Sequence, residues 1–450
     1  MAGTITSQTL MSLALAALLA GGSIFADEKQ AQSVEPGAAA RAYVAFVHRA
    51  CDQVAVDLPH IARIAEIAAD RHAKGGMLGI PWNGQGLQDE LWGRSGGLVH
   101  IGDGRPHKRN RTEAEQQQDM AIIGWQRAPS GNKLEELKRR QAKGTYIIGF
   151  GPKALPALAE QVAVCDAWFD TGFGDDDRIV ELVDGSRVGR GNMLLDMLYG
   201  WAFIAEFIAA STREGNMPPV WQAYLYDEGV DWGNRYLGKM QYHTDYDIAP
   251  IETGGLTVKF FEHIKGLATK FERQQMPNVR KATALIMAEH RQGRKTICTP
   301  MGHAPWTYVA EYEDKAWGQI SNLHTNNKGQ VHGHMQNTPD GALVLRVGYF
   351  GTDSKALEIF AEKQQRVIFI STGTTRGGDS QASSGLHIRD VPADAAAYID
   401  MGLAYGDASV TIDGYPIKVL PPSGIMQLVA YECVNVEVLA AIAAASGTGD

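Results

Sequence analysis

Two stretches of this 450-residue chain repeat one another. Positions 77–97 read MLGIPWNGQGLQDELWGRSGG, and 297–318 read ICTPMGHAPWTYVAEYEDKAWG. Glu90, Arg94 and Gly97 recur 221 positions later as Glu311, Lys315 and Gly318. In each copy a short apolar run empties into a Gly-containing turn, and a charged segment of helical spacing follows. A strand, a turn and a helix N-terminus in that order bind anions well, because unpaired N–H groups and the helix dipole point at the ligand. The spacing predicts a tandem duplication with the repeated turn as the candidate site.

Periodicity fills in the rest. In the first half, helical spacing over 42–73 predicts one long helix or two joined near Pro59, ended by Lys74-Gly75-Gly76. Strands are expected at 77–80, 98–101, 119–125, 146–150 and 167–169, with helices at 87–94, 130–143 and 154–164. The second half repeats the order. A helical pair over 258–291, broken near Pro277, precedes strands at 296–298, 342–347, 366–370 and 397–400. Helices are expected at 308–317, 354–363 and 436–445. Strands alternating with helices imply right-handed βαβ units and a parallel sheet in each half. The expected division is an N-terminal segment 1–26, a linker 27–41, a first domain 42–190, an aromatic-rich helical connector 191–255 and a second domain 256–450.

Composition narrows the classes. A hydrophobic share of 44% and a charged share of 21% suit a soluble globular chain, and a net charge of -9 argues against a nucleic-acid surface. The four cysteines are far apart and are expected as buried free thiols. Positions 10–25 are apolar and read as a signal peptide cleaved after Ala26, although no Lys or Arg precedes them and Ile24 is large for its place. That reading predicts an exported protein, periplasmic or extracellular, with no membrane attachment after cleavage. A mis-assigned start or a loosely docked helix is the alternative.

Asn83-Gly84-Gln85-Gly86 with Glu90 to Gly97, and Gly302-His303 with Glu311 and Lys315-Ala316-Trp317-Gly318, resemble the SIS (sugar isomerase) domain. The tail at 398–423, with Gly406-Asp407-Ala408 and Pro422-Ser423, is similar to the end of poorly characterised bacterial SIS proteins. The resemblance spans roughly 42–175 and 258–440. It implies two tandem flavodoxin-like α/β domains, each with a parallel sheet flanked by helices, and a bound sugar or sugar phosphate. The Ser-rich loop of phosphosugar-binding members is represented here only by Ser130 with Gly131 and by Thr352 with Ser354.

An aldose–ketose isomerase needs a base that carries a proton between adjacent carbons and a donor that polarises the carbonyl. Glu311 and Glu90 are the candidate bases, and His303 the candidate donor or ring opener. The plainer reading is that these residues cap helices or brace the sheets. Candidate ligand contacts are Asn83, Gly84, Gln85, Arg94 and Ser130 in the first half. In the second they are Gly302, Lys315, Thr352, Ser354, Thr372, Thr374 and Thr375. His324, His332 and His334 share a polar loop, and His243, Asp245 and Asp247 lie in the connector; a solvated loop is the expected reading, and no metal or cofactor is assigned. The expected function is binding of a carbohydrate derivative with aldose–ketose isomerisation, the alternative being a non-catalytic sugar-binding or sensor protein. A homo-oligomer is compatible with the sequence, and no nucleic-acid partner is expected. Only the second copy has a histidine in its turn and hydroxyl-rich loops after it, so chemistry is expected there.

Overall fold

Pro59 divides the first helical segment. It sits in the opening turn of α2 (Leu58–Ala73), where a missing N–H and a fixed φ cost nothing, so α1 (Ala38–Val56) ends at Asp57 and a second helix starts. The computed structural model describes residues 35–446 except 84, 103–110, 128–132, 240, 302–303, 305, 307–308, 310–315, 321–334, 374–379 and 382–386. Residues 32–450 form one compact unit.

The first sheet is parallel, in the order β1 (Leu78–Gly79), β2 (Met120–Gly124), β3 (Tyr146–Gly151), β4 (Ala167–Asp170). Its crossovers carry α3 (Leu87–Leu91), α4 (Glu113–Gln116), α5 (Lys133–Gln141) and α6 (Ala159–Val164). On the outer side of β1 a single parallel bridge joins Gly79 to Gly102. The strand expected at 98–101 does not form. Its backbone is drawn to the connector instead: Val99 N donates to Pro219 O, Trp221 N to Gly97 O, and Leu98 bridges Val220. A hairpin then follows, β5 (Arg178–Glu181) and β6 (Arg187–Arg190), turning at Asp184-Gly185 with Gly185 at φ 79°.

Next comes α7 (Asn192–Arg213), α8 (Gly229–Tyr236) and the 36-residue α9 (Gly255–His290). The break expected at Pro277 is absent. Pro277 lies inside one continuous helix with Arg273, Gln274 and Pro277 itself exposed, so the carbonyl that loses its partner faces water.

The second sheet runs β8 (Gly318–Ile320), β7 (Thr296–Pro300), β9 (Leu343–Val347), β11 (Arg366–Ser371), β14 (Ala397–Asp400), all parallel. In order of appearance this is 2-1-3-4-5, the flavodoxin-like arrangement. The first half has the same order, with the Gly102 bridge in the place of its second strand. The duplication read from the 221-residue offset is therefore present as a repeated topology. A small antiparallel sheet, β10 (Thr352–Asp353), β13 (His387–Arg389) and β12 (Ser380–Gln381), borders the second crossover region, and α10 (Ser354–Glu362) leaves β10.

The chain closes with α11 (Ser423–Ser446). Helix α7 packs on α2, α1, α3 and β3, while α9 and α11 pack on β14, β7 and β11. Helix α1 packs on both α9 and α11, which fuses the halves through a shared helical layer. Both α7 and α11 are long and apolar enough to cross a membrane, yet 100% and 67% of their apolar windows are buried within the protein. They are core helices, apolar all round because neighbours surround them. Of the cysteines, Cys51, Cys298 and Cys433 are buried free thiols and Cys165 is half-buried.

Candidate functional site

In each sheet the strand order reverses beside the first strand, between β1 and β2 and again between β7 and β9. Connections leave such a point in opposite directions, which opens a crevice at the carboxyl ends of the strands.

At the first crevice Asn83 and Gln85 tie the turn after β1 to the end of β2. Asn83 Nδ2 donates to Gly124 O at 2.6 Å, and Gln85 Oε1 accepts from the N–H groups of Gln126 and Arg127 at 2.6 and 3.1 Å. Gln126 continues inward. Its amide donates to Asp196 Oδ2 and accepts from Asn192 Nδ2 at 2.5 Å. Burial pushes the Asp196 carboxyl well above the usual carboxylate range, and Asp196 Oδ1 has no hydrogen-bond partner among the described residues. At the rim, Lys133 Nζ lies 5.4 Å from the centre of the Trp82 ring, which is 48% exposed. Gly84 and Ser130 lie outside the described residues.

The second crevice is lined from β9 and the start of α10. Arg346 is buried on β9, where its guanidinium donates to Thr299 O at 3.1 Å and pairs with Asp353 Oδ2 at 3.3 Å. Asp353 also caps α10 through Ala356 N at 2.9 Å. Arg346 Nε and the hydroxyls of Thr299 and Thr352 are buried without a hydrogen-bond partner among the described residues. Buried polar groups are nearly always paired, so three without a partner among the described residues in one crevice stand out. Thr372 Oγ1 accepts from Leu403 N at 3.2 Å, and Ser354 starts α10 half-buried. Gly302, His303, Glu311, Lys315, Thr374 and Thr375 lie outside the described residues, as do His324, His332 and His334.

Glu90 and Arg94 form a buried charge network between the halves. Arg94 Nη1 donates to Glu90 Oε2 at 3.2 Å, and Nη2 reaches Asp407 Oδ2 at 3.3 Å and Ser423 Oγ at 2.7 Å. Trp201 Nε1 on α7 donates to the other Glu90 oxygen at 2.7 Å. Ser423 N and Oγ both donate to Asp407, at 3.1 and 2.8 Å. Asp407 holds a left-handed φ of 71°, which Asp tolerates better than most residues. The carboxylates lie at the N-terminus of α11, where the helix dipole favours negative charge.

Two carboxylates share one guanidinium here. Burial pushes Glu90 up to about 7, against the pull of Arg94 and the Trp201 indole and with the repulsion of Asp407. Burial also raises Asp407, opposed by Arg94, Ser423 and Tyr349. A carboxyl whose folded value exceeds its unfolded one favours folding when protonated. Its contribution is present below about 4.5, declines through the window from 4.5 to about 7, and is gone above it. Glu90→Gln is therefore expected to flatten the fall in stability between pH 5 and 7.5, by on the order of 3 kcal/mol, in urea titrations at several pH values. An unchanged slope would count against Glu90 as the titrating group.

In the connector, His243 is buried between Asp245 Oδ1 and the Tyr415 hydroxyl, both at 2.9 Å, inside a cluster of Trp232, Tyr236, Tyr246 and Tyr415. The aromatic residues there form an interior joining the connector to the segment before α11. Asp176 pairs with Arg178 and Asp177 with Arg190, so the acidic run Asp175-Asp176-Asp177 before β5 braces the β5–β6 hairpin.

No family model and no curated protein matches the chain. Among solved structures it is similar to tagatose-6-phosphate ketose/aldose isomerase from Escherichia coli, at 10% identity, covering 91% of this chain and 92% of that one, with a TM-score of 0.43. It is also similar to the C-terminal domain of glucosamine-fructose-6-phosphate aminotransferase from Francisella tularensis, at 10% identity, 87% and 96% coverage and a TM-score of 0.38. A glucose-6-phosphate isomerase from Chlamydia trachomatis D/UW-3/Cx matches at 12% identity, 92% and 74% coverage and a TM-score of 0.36.

Proposed function

We propose that the chain is a tandem SIS-type protein that binds a carbohydrate derivative, a sugar or sugar phosphate, and interconverts its aldose and ketose forms at the second crevice. One observation carries this reading: at the switch point of the second sheet, Arg346 Nε, Thr299 Oγ1 and Thr352 Oγ1 are buried with no partner among the described residues. Hydroxyl and anionic oxygens of a sugar derivative are the atoms that accept from such donors. In this reading Glu311 moves the proton between the two carbons and His303 polarises the carbonyl. Glu90 is its repeat partner with a different task. Every oxygen of Glu90 is engaged and its side chain is fully buried, so it braces the joint between the halves.

The brace also favours a second reading, a non-catalytic binder, since one of the two repeated glutamates is removed from chemistry. The two are separated by incubating the protein with sugars, amino sugars and their phosphates in D₂O. Isomerisation predicts deuterium at C2 of the accepted compound and a loss of about 10²–10⁴-fold in Glu311→Gln. Thermal stabilisation by a sugar without exchange selects the binder. Neither stabilisation nor exchange across the panel would overturn both. An exported location stays with the proposal, resting on the apolar segment 10–25.

A further inference from the structure

A cavity of about 520 Å³ shares no lining residue with those named for either crevice. It is a trough between one face of α9 and one face of α11, lined by Ala284 and Met287 on one side and Ala441 and Ala444 on the other. The β5–β6 turn closes it with Val183, which is 53% exposed. Helix α11 is packed on all sides up to Leu439, then turns alanine-rich and half-open at Ala440. The small side chains leave the trough unfilled. Along α11 it lies about 25 Å from the Glu90 network at the other end of that helix, at ~1.5 Å per residue.

The trough has charge at both ends, and the ends differ. At one end Arg280 lies against Gly37, where Glu437 accepts from Gly37 N at 2.8 Å and Ala40 N at 2.9 Å, and Glu35 pairs with Arg41 at 2.9 Å. Two cations and two carboxylates balance there. At the other end stands Arg291, eleven residues further along α9, about 16 Å at ~1.5 Å per residue. No carboxylate of the lining lies on that stretch of α9 or α11, and among the described residues the Arg291 side chain has no ion-pair or hydrogen-bond partner.

We infer that this trough binds a linear amphiphilic anion, a medium-chain carboxylate whose head group pairs with Arg291 and whose chain lies along the alanine face of α11. The volume falls within the range of small-molecule pockets, and a stretch of ~16 Å matches an extended chain of about twelve carbons. An apolar wall with one cation unbalanced among the described residues selects for this chemistry over a sugar, which has too many hydroxyls to desolvate, and over a neutral or cationic chain, which offers Arg291 no counter-charge.

The test uses the full chain and sodium laurate below its micellar concentration, followed by calorimetry and thermal shift. Saturable one-to-one binding is expected, with dodecanol at least tenfold weaker and dodecyltrimethylammonium weaker still. Arg291→Glu should weaken laurate at least tenfold, whereas Arg280→Glu should change it less than Arg291→Glu. Ala441→Phe, which fills the trough, should abolish binding while the melting temperature without laurate stays near that of the parent. Equal binding of laurate and dodecanol, or laurate affinity unmoved by Arg291→Glu or by Ala441→Phe, would overturn the inference. So would binding seen only with phosphatidylglycerol vesicles and not with monomeric laurate, since that would place the chemistry at a lipid surface.

Discussion

Arg94→Met is expected to lower the unfolding free energy by about 4 kcal/mol at pH 7.5, the range typical when one partner of a buried ion pair is removed. The methionine fills much of the volume, so packing loss is minor. What remains is Glu90 and Asp407, both fully buried, facing each other with no cation between them. Each must then be neutralised by a proton. The variant should therefore regain much of its stability at pH 5, where protonation is easy, and the pH dependence should steepen relative to the parent. Arg94→Met combined with Glu90→Gln removes one of the two stranded charges and should recover part of the loss at pH 7.5. Urea unfolding of the parent, the single and the double variant at both pH values measures all of this. A single variant within 1 kcal/mol of the parent at pH 7.5 would mean that the network does not hold the halves together.

The parts of this network were visible in the sequence without their connection. Glu90 and Arg94 stood out because they repeat as Glu311 and Lys315, and Gly406-Asp407-Ala408 and Pro422-Ser423 stood out as tail motifs. The structure joins them: Asp407 and Ser423 are the residues that Arg94 reaches from more than 300 positions away. A motif read along one chain says nothing about which distant motif it meets. The strands were legible because β2, β3, β9 and β11 are short, apolar and bounded by turns. The continuity of α11 is not. A helix buried on nearly every side carries no period in its polarity, so the sequence marks Ser423 as an N-cap before the apolar run 425–429 and 436–445 as a separate helix, whereas one helix runs Ser423–Ser446. Gln126, Asn192 and Asp196 carry no sequence signal for a related reason: isolated polar residues in apolar runs look like noise until a fold buries them together. The β5–β6 hairpin carries its own signal in Asp184-Gly185, a pair that favours a tight hairpin turn.

Gly424→Ala separates local preference from tertiary geometry, because the two predict opposite signs. Gly424 is the second residue of α11, and alanine in a helix is favoured over glycine by about 1 kcal/mol, so propensity alone predicts stabilisation. A Cβ at this position would lie 1.9 Å from Glu90 Oε2 and 2.5 Å from its carboxyl carbon. An exposed glutamate would swing aside. Glu90 cannot, because Trp201 holds one oxygen and Arg94 the other, both within the packed interior. The added methyl must either push α11 away from α3 or break the Arg94 contact, and the expected cost is about 3 kcal/mol in urea unfolding at pH 7.5. The same substitution in a Glu90→Ala background has no carboxylate to meet, and there alanine should be neutral or slightly stabilising. The resulting coupling of at least 2 kcal/mol between positions 90 and 424 is large for two residues more than 300 positions apart, and it is the signature of direct contact. If Gly424→Ala stabilises the parent chain, the carboxylate of Glu90 does not rest on the start of α11, and the brace between the halves has to be sought elsewhere.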